Sequence, residues 1–129
     1  MEIDFQKGGG LIPAIIQYDR NGDVLMLGFM NAESLEETRR TGEVVFFSRS
    51  RSKLWKKGES SGHVLRVREM RVDCDADALL VRVEAVGPGV CHEGYRSCFF
   101  RAIETDGKSK IIAERTFSPE KVYSKEKSR

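Results

Sequence analysis

Residues 14–30 read Ala14-Ile15-Ile16-Gln17-Tyr18-Asp19-Arg20-Asn21-Gly22-Asp23-Val24-Leu25-Met26-Leu27-Gly28-Phe29-Met30. Ala14 to Asp19 is a short apolar run. Asn21-Gly22 then supplies two residues that tolerate positive φ, the strongest short-range signal for a hairpin turn. Val24 to Met30 is the return strand. Asn31 follows as a helix N-cap, with Glu33 and Glu36 placing negative charge in the first turns. Leu35 lies within that helix. Arg39 and Arg40 close its last turn, and Gly42 can take the left-handed conformation that ends it. Strand, turn, strand and helix in this order open an α+β fold.

The rest of the chain adds strands rather than helices. Val44-Val45-Phe46-Phe47 reads as a buried strand, and Ser48 to Gly62, polar, basic and punctuated by glycine, as a long loop or loose hairpin. Val64 to Val72 alternates imperfectly, and Leu79 to Val86 is β-branched, so both read as strands. Gly87-Pro88-Gly89 breaks the second. Phe99 to Glu104 and Lys110 to Glu114 form a second hairpin about Asp106-Gly107. The charged segment from Lys121 to Arg129 is expected to fray. The expectation is one β-rich α+β domain over residues 1–129 with one main helix and no internal repeat.

Composition narrows the class. The 129 residues suffice for one core, and 40% apolar with 33% charged residues is a globular mix. A net charge of +2 is too small to argue for nucleic acid. No apolar run reaches the roughly 18 residues of a membrane span. Met1-Glu2-Ile3-Asp4-Phe5 lacks the basic-then-apolar pattern of a signal peptide. We therefore expect a cytoplasmic protein without nucleic-acid or membrane partners. Its three cysteines, an odd number in a reducing compartment, point away from disulfides.

The cysteines lie among hard ligands. Asp73-Cys74-Asp75-Ala76-Asp77 holds three acids and a thiol; Cys91 and Cys98 follow in Cys91-His92-Glu93-Gly94-Tyr95-Arg96-Ser97-Cys98. Thiolates suit zinc, carboxylates suit magnesium or calcium. Tetrahedral zinc needs sulfurs roughly 3.8 Å apart. On a helix, Cys91 and Cys98 would be separated by about 10.5 Å of rise. The segment must fold back, and Gly87, Gly89 and Gly94 give the freedom while Pro88 gives a fixed corner. Three thiols on two segments leave one coordination position, for His92 or a water, and raise a site completed across a subunit boundary.

The acids face a similar constraint. On a plain strand Asp73, Asp75 and Asp77 share a face, but Asp73 and Asp77 lie about 13 Å apart. For one ion to bind all three, the chain must curl or water must bridge. An EF-hand loop matches Asp73, Asp75, Asp77 and Glu84, but Ala78 stands where that loop needs glycine and Leu79 to Val86 is no exit helix. A solvated acidic turn is the plain alternative.

Ser48 to His63 combines Arg49, Arg51, Lys53, Lys56 and Lys57 with hydroxyls, glycines and the one tryptophan, Trp55. Cations and amides near glycine suit phosphate, and an indole can stack on a base. A solvated basic loop with Trp55 plugging the core is the competing reading. His63 and His92 are the two histidines, each a candidate general base or ligand.

Together, Ser48-Arg49-Ser50-Arg51, Leu54-Trp55-x-Lys57-Gly58-Glu59-Ser60-Ser61-Gly62-His63, Asp73-Cys74-Asp75-x-Asp77-Ala78-Leu79-Leu80 and Gly87-Pro88…Cys91-His92-x-Gly94…Ser97-Cys98-Phe99 resemble the phosphoribosyl-AMP cyclohydrolase family. The resemblance runs from Ile16 to about Arg101. It implies a homodimer that opens the adenine ring of 1-(5-phosphoribosyl)-AMP between N1 and C6 with zinc-activated water, the third step of L-histidine biosynthesis. It implies zinc on Cys74 of one subunit with Cys91 and Cys98 of the other, and magnesium on Asp73, Asp75 and Asp77. It puts His92, with His63 as alternate, as catalytic base. Substrate contacts fall to Arg49, Arg51, Trp55, Lys57, Glu59, Ser60, Ser61 and Gly62. Ser60 stands for a more usual threonine, Val90 for an alanine, and Tyr95 for an arginine. The chain ends without the pyrophosphohydrolase domain fused in some relatives, so the ring-opening step alone is expected. A non-enzymatic zinc module binding nucleic acid or protein is the second reading. A cytidine-type deaminase would need a His-x-Glu or Cys-x-Glu and a Pro-Cys-x-x-Cys that are absent.

Overall fold

The computed structural model describes residues 2–122. Ile12–Tyr18 (β1) and Val24–Met30 (β2) form the expected antiparallel hairpin. Its turn carries Gly22 at φ +83°, whose N–H donates to the Tyr18 carbonyl at 2.8 Å. Ile12, Ala14 and Ile16 alternate into the core, the period-2 pattern of a strand with one buried face. Ala32–Thr41 (α1) is capped as its sequence demands. Asn31 Oδ1 accepts from Ser34 N at 2.8 Å while Asn31 N donates to Ser34 Oγ at 2.9 Å. Gly42 ends the helix at φ +75°, its N–H on the Thr38 carbonyl.

Val45–Ser48 (β3) and Lys53–Lys56 (β4) pair antiparallel, so the segment read as a loop or loose hairpin is an ordered hairpin in its first half. Phe46 projects from β3 and is buried against β2 at Gly28, where an added Cβ would lie 2.5 Å from the ring. Close approach of an aromatic ring explains a glycine inside a strand. Leu65–Val72 (β5) and Leu79–Ala85 (β6) complete a four-stranded sheet of order β2-β1-β6-β5, with β1 and β6 parallel. The imperfect alternation of β5 has a cause: its register with β6 shifts between Val67 and Glu69, a bulge that moves later side chains to the other face.

Arg101–Ile103 (β7) and Ser109–Ile111 (β8) form the last hairpin, shorter than its sequence indicated, with Gly107 at φ +87° in the turn. A small separate cluster of Cys91, Tyr95 and Phe100 underlies it. At the other end, Gln6–Gly8 makes a 3₁₀ turn that the sequence did not announce, and Asp4 N is tied to the Ala76 carbonyl at 2.7 Å. Most of the segment expected to fray, from residue 123 on, lies outside the described residues. No helix among the described residues is long and apolar enough to cross a membrane.

Candidate active site

The acidic segment curls between β5 and β6. Ala76 takes φ +63°, and Asp73 holds the turn together. Its N–H donates to the Ala78 carbonyl at 3.0 Å, its carbonyl accepts from Ala76, and its Oδ1 accepts from Asp77 N and Ala78 N at 3.0 and 3.2 Å. Carboxylate oxygens of Asp73, Asp75 and Asp77 thereby come within 4.8 Å of one another. A strand could not do this; a left-handed residue in the middle does. Asp75 and Asp77 behave as a pair. Their mutual hydrogen bond raises the pKa of Asp77 and lowers that of Asp75, with nearby Lys7 also favouring ionised Asp75. Lys7 Nζ stands 3.5 Å from Asp75 and 3.6 Å from Asp77. Three crowded oxygens and a cation drawn to them fit a hard divalent ion.

The thiol segment folds back tightly. Val90 N donates to the Arg96 carbonyl and Cys91 N to the Tyr95 carbonyl, both at 3.1 Å, and Gly94 turns the chain at φ +97°. Cys98 is anchored separately, its N–H on the Leu25 carbonyl of β2 at 2.7 Å. The loop brings Cys91 and Cys98 close enough to hydrogen-bond. Burial of its sulfur, then the charge of Cys91, push the Cys98 thiol up from 9.0 to about 11, although much of the residue is exposed. Such a thiol is protonated at neutral pH, and a cation bound beside it would favour its ionised form. Two adjacent sulfurs with that chemistry fit a soft or borderline metal.

Lys57 reaches the same place from the end of β4. It is 7% exposed, and its Nζ donates to the Val90 carbonyl at 2.6 Å. Burial lowers its pKa, opposed by the neighbouring charges of Cys98 and Cys91. Sequence reasoning put this lysine on phosphate and missed its burial. The signal was its position one residue beyond a strand that packs on the core.

A cleft of about 360 Å³ opens beside the loop. Arg51, Trp55, Glu59, Ser60, Ser61 and His92 line it, joined by Ser48, Ser50 and Gly58 and bordered by Lys57. His92 is exposed there. Trp55 serves both readings made of it, tilted onto Phe46 at 5.7 Å between centroids while bordering the cleft. Three predicted residues lie apart. Arg49 stacks on Phe29, 4.0 Å from the ring centre. His63 sits across the Gly87–Gly89 corner, its Nδ1 3.1 Å from the Gly89 carbonyl and its ring edge-on to Phe117. Gly62 spends its N–H on the Gly58 carbonyl at 2.8 Å. A second cleft, about 460 Å³, lies by Tyr18, Arg20 and Arg96 and is lined by none of the predicted site residues.

Comparison with known proteins decides the kinship. The phosphoribosyl-AMP cyclohydrolase family model matches residues 26–100. Phosphoribosyl-AMP cyclohydrolase of Solibacter usitatus is 55% identical over 123 residues, 95% of this chain and 97% of that protein. The chain belongs to the phosphoribosyl-AMP cyclohydrolase family. The proteins of that name from Desulfatibacillum aliphaticivorans (51% identical, 97% of this chain and 99% of that one) and Methanococcoides burtonii (53%, 90% and 92%) agree. Membership makes the chain a hydrolase and sets aside the non-enzymatic zinc module.

One feature of this cyclohydrolase chain stands out once the family's motifs are mapped on it. Cys74 precedes β6, whereas Cys91 and Cys98 follow it. The seven residues of β6 span about 20 Å at about 3.3 Å per residue. Among the described residues, the acidic triplet is the one group of three metal-capable side chains that converge. Cys74 does not meet the other two thiols within a chain. Tyr95, read from the sequence as standing in for an arginine, is buried and stacked flat on Phe100 at 3.8 Å, so it offers no phosphate contact.

Proposed function

We propose that this chain hydrolyses the N1–C6 bond of the adenine ring of 1-(5-phosphoribosyl)-AMP, yielding the formimino carboxamide ribonucleotide. This is the third step of L-histidine biosynthesis, carried out by a cytoplasmic homodimer with zinc and magnesium. The observation that carries the reading is the seating of the Cys91–Cys98 pair beside a cleft that gathers Trp55, Arg51 and His92. Its volume is at the lower end of the range for small-molecule sites.

In this reading Cys91 and Cys98 of one chain and Cys74 of the partner subunit would hold zinc. When bound, zinc supplies a water whose pKa falls to about 7. Asp73, Asp75 and Asp77 would hold magnesium, which supplies a hard positive centre for phosphate or ribose oxygen. A ring nitrogen of His92 takes the proton of the attacking water as C6–O forms and N1–C6 breaks, and N1 is protonated in turn. His63, committed through Nδ1 to Gly89 and outside the cleft, is the weaker candidate. Trp55 offers a stacking face for the purine, and Arg51 with Ser60 offers donors for a phosphate. Arg49 approaches the same phosphates once it leaves Phe29.

Two observations support the dimer. The separated thiols need a second chain for a three-sulfur site. The β7–β8 hairpin and the residue just after it also expose Ile103 (83%), Ile112 (60%) and Ile111 (57%), apolar surface of a kind that marks protein contacts.

The test is direct. Purified protein incubated with phosphoribosyl-AMP should open the ring, seen as a change in purine absorbance, and lose that activity on chelation of zinc or magnesium. Absence of turnover in metal-replete dimeric protein refutes the proposal.

A further inference from the structure

Lys57 is the one buried charged residue among the described residues. Its ammonium has the Val90 carbonyl as a partner at 2.6 Å, and no carboxylate among the described residues pairs with it. A buried cation without a counter-charge is costly, so an anion is expected near it. The ionisable groups beside it are the two thiols, Cys98 and Cys91. Val90, whose carbonyl it grips, is the residue directly before Cys91. The indole of Trp55 closes another side, its centre 5.4 Å from Nζ.

The charge balance then has a simple form. Three thiolates around one divalent cation carry a net charge of minus one. On the buried side of the loop, where Val90, Cys91 and Lys57 are shielded from water, that excess is unfavourable unless something cancels it. The buried ammonium cancels it, and its hydrogen bond to Val90 fixes the backbone from which Cys91 hangs. We propose that Lys57 is a positioning residue of the zinc site, compensating the thiolates and holding the Cys91 loop, rather than a phosphate ligand. The inference rests on the reading that Cys91 and Cys98 bind zinc.

Two variants of the full-length protein test it. Lys57→Met keeps the bulk and removes both charge and donor; Lys57→Gln keeps a donor for Val90 and removes the charge. Zinc affinity is measured by chelator competition, and cobalt substitution reports thiolate ligation through its charge-transfer band. Groups that orient metal ligands from outside the coordination shell typically affect affinity by about 10–100-fold. Both variants should bind zinc at least about tenfold more weakly, with magnesium affinity unchanged. Should Lys57→Met fail to fold, Lys57→Gln reads the same constant. Zinc affinity within about threefold of the parent in a folded variant overturns the proposal, and a raised KM for substrate in that case returns Lys57 to the phosphates. If the parent protein itself shows no thiolate-to-cobalt band, the zinc reading falls, and this inference with it.

Discussion

Gly89→Ala tests whether the thiol loop owes its shape to close backbone packing. A Cβ on Gly89 would lie 2.6 Å from the Tyr95 carbonyl oxygen and 2.9 Å from both Arg96 Cα and Thr116 Oγ1. Two of these are backbone atoms, so no rotamer change relieves the contact. Restoring an ordinary 3.4 Å separation moves the Tyr95 oxygen by about 0.8 Å. That oxygen accepts from Cys91 N at 3.1 Å, and such a retreat takes the pair out of hydrogen-bonding range. The neighbouring Val90 N to Arg96 O bond is strained by the same movement. At about 1 kcal/mol for each bond, the loss is about 2 kcal/mol, within the about 1–3 kcal/mol typical of overpacking. For a chain of this length about 4 °C of Tm accompanies each kcal/mol, so Tm should fall by about 8 °C. Zinc affinity should fall further, because Cys91 moves while Cys98 stays pinned to Leu25. Calorimetry and chelator competition measure the two, with Gly8→Ala, which meets nothing within 4 Å, as control. A Gly89→Ala protein with parental Tm and parental zinc affinity would refute the reasoning.

Other outcomes follow from the same geometry. Asp75→Asn removes one oxygen charge from the acidic turn and should weaken magnesium binding about tenfold or more while leaving zinc content intact, as metal analysis and titration would report; joint loss of both metals would mean the two sites are one. Glu37 has its pKa lowered chiefly by its hydrogen bond to Arg40, so its contribution to stability is present above the unfolded value near 4.5 and lost as pH falls through the lower folded value. Arg40→Gln should therefore flatten the acid side of the Tm–pH curve below about pH 4.5, a small effect at so exposed a pair, and an unchanged curve counts against it.

Much of the scaffold was legible because its signals are local. Asn21-Gly22, the Asn31 cap and Gly42 each act within four residues, and each element they bound is where the sequence puts it. Strand rise alone also showed that Asp73 to Asp77 must either curl or bridge through water to share an ion, and the structure curls. The means was not: the left-handed residue is Ala76, a residue type that carries no such signal. The fold-back of Cys91 to Cys98 followed from sulfur spacing and the surrounding glycines. The burial of Lys57 depends instead on contacts across 33 residues with Val90, and no periodicity records that. The position of His63 behind the Gly87–Gly89 corner, away from His92, is equally non-local. The β5 bulge blurred an alternation that a regular strand would have kept.

The length of β6 has a genetic consequence. If each zinc site draws Cys74 from one chain and the Cys91–Cys98 loop from the other, a Cys74→Ala chain and a Cys91→Ala chain are each inert alone. Mixed and allowed to exchange, they form heterodimers in which one site recovers all three sulfurs and the other has lost two. Random pairing makes half the dimers mixed, each with one working site of two, so about one quarter of parental activity should return. Two dead alleles would then rescue each other in one cell.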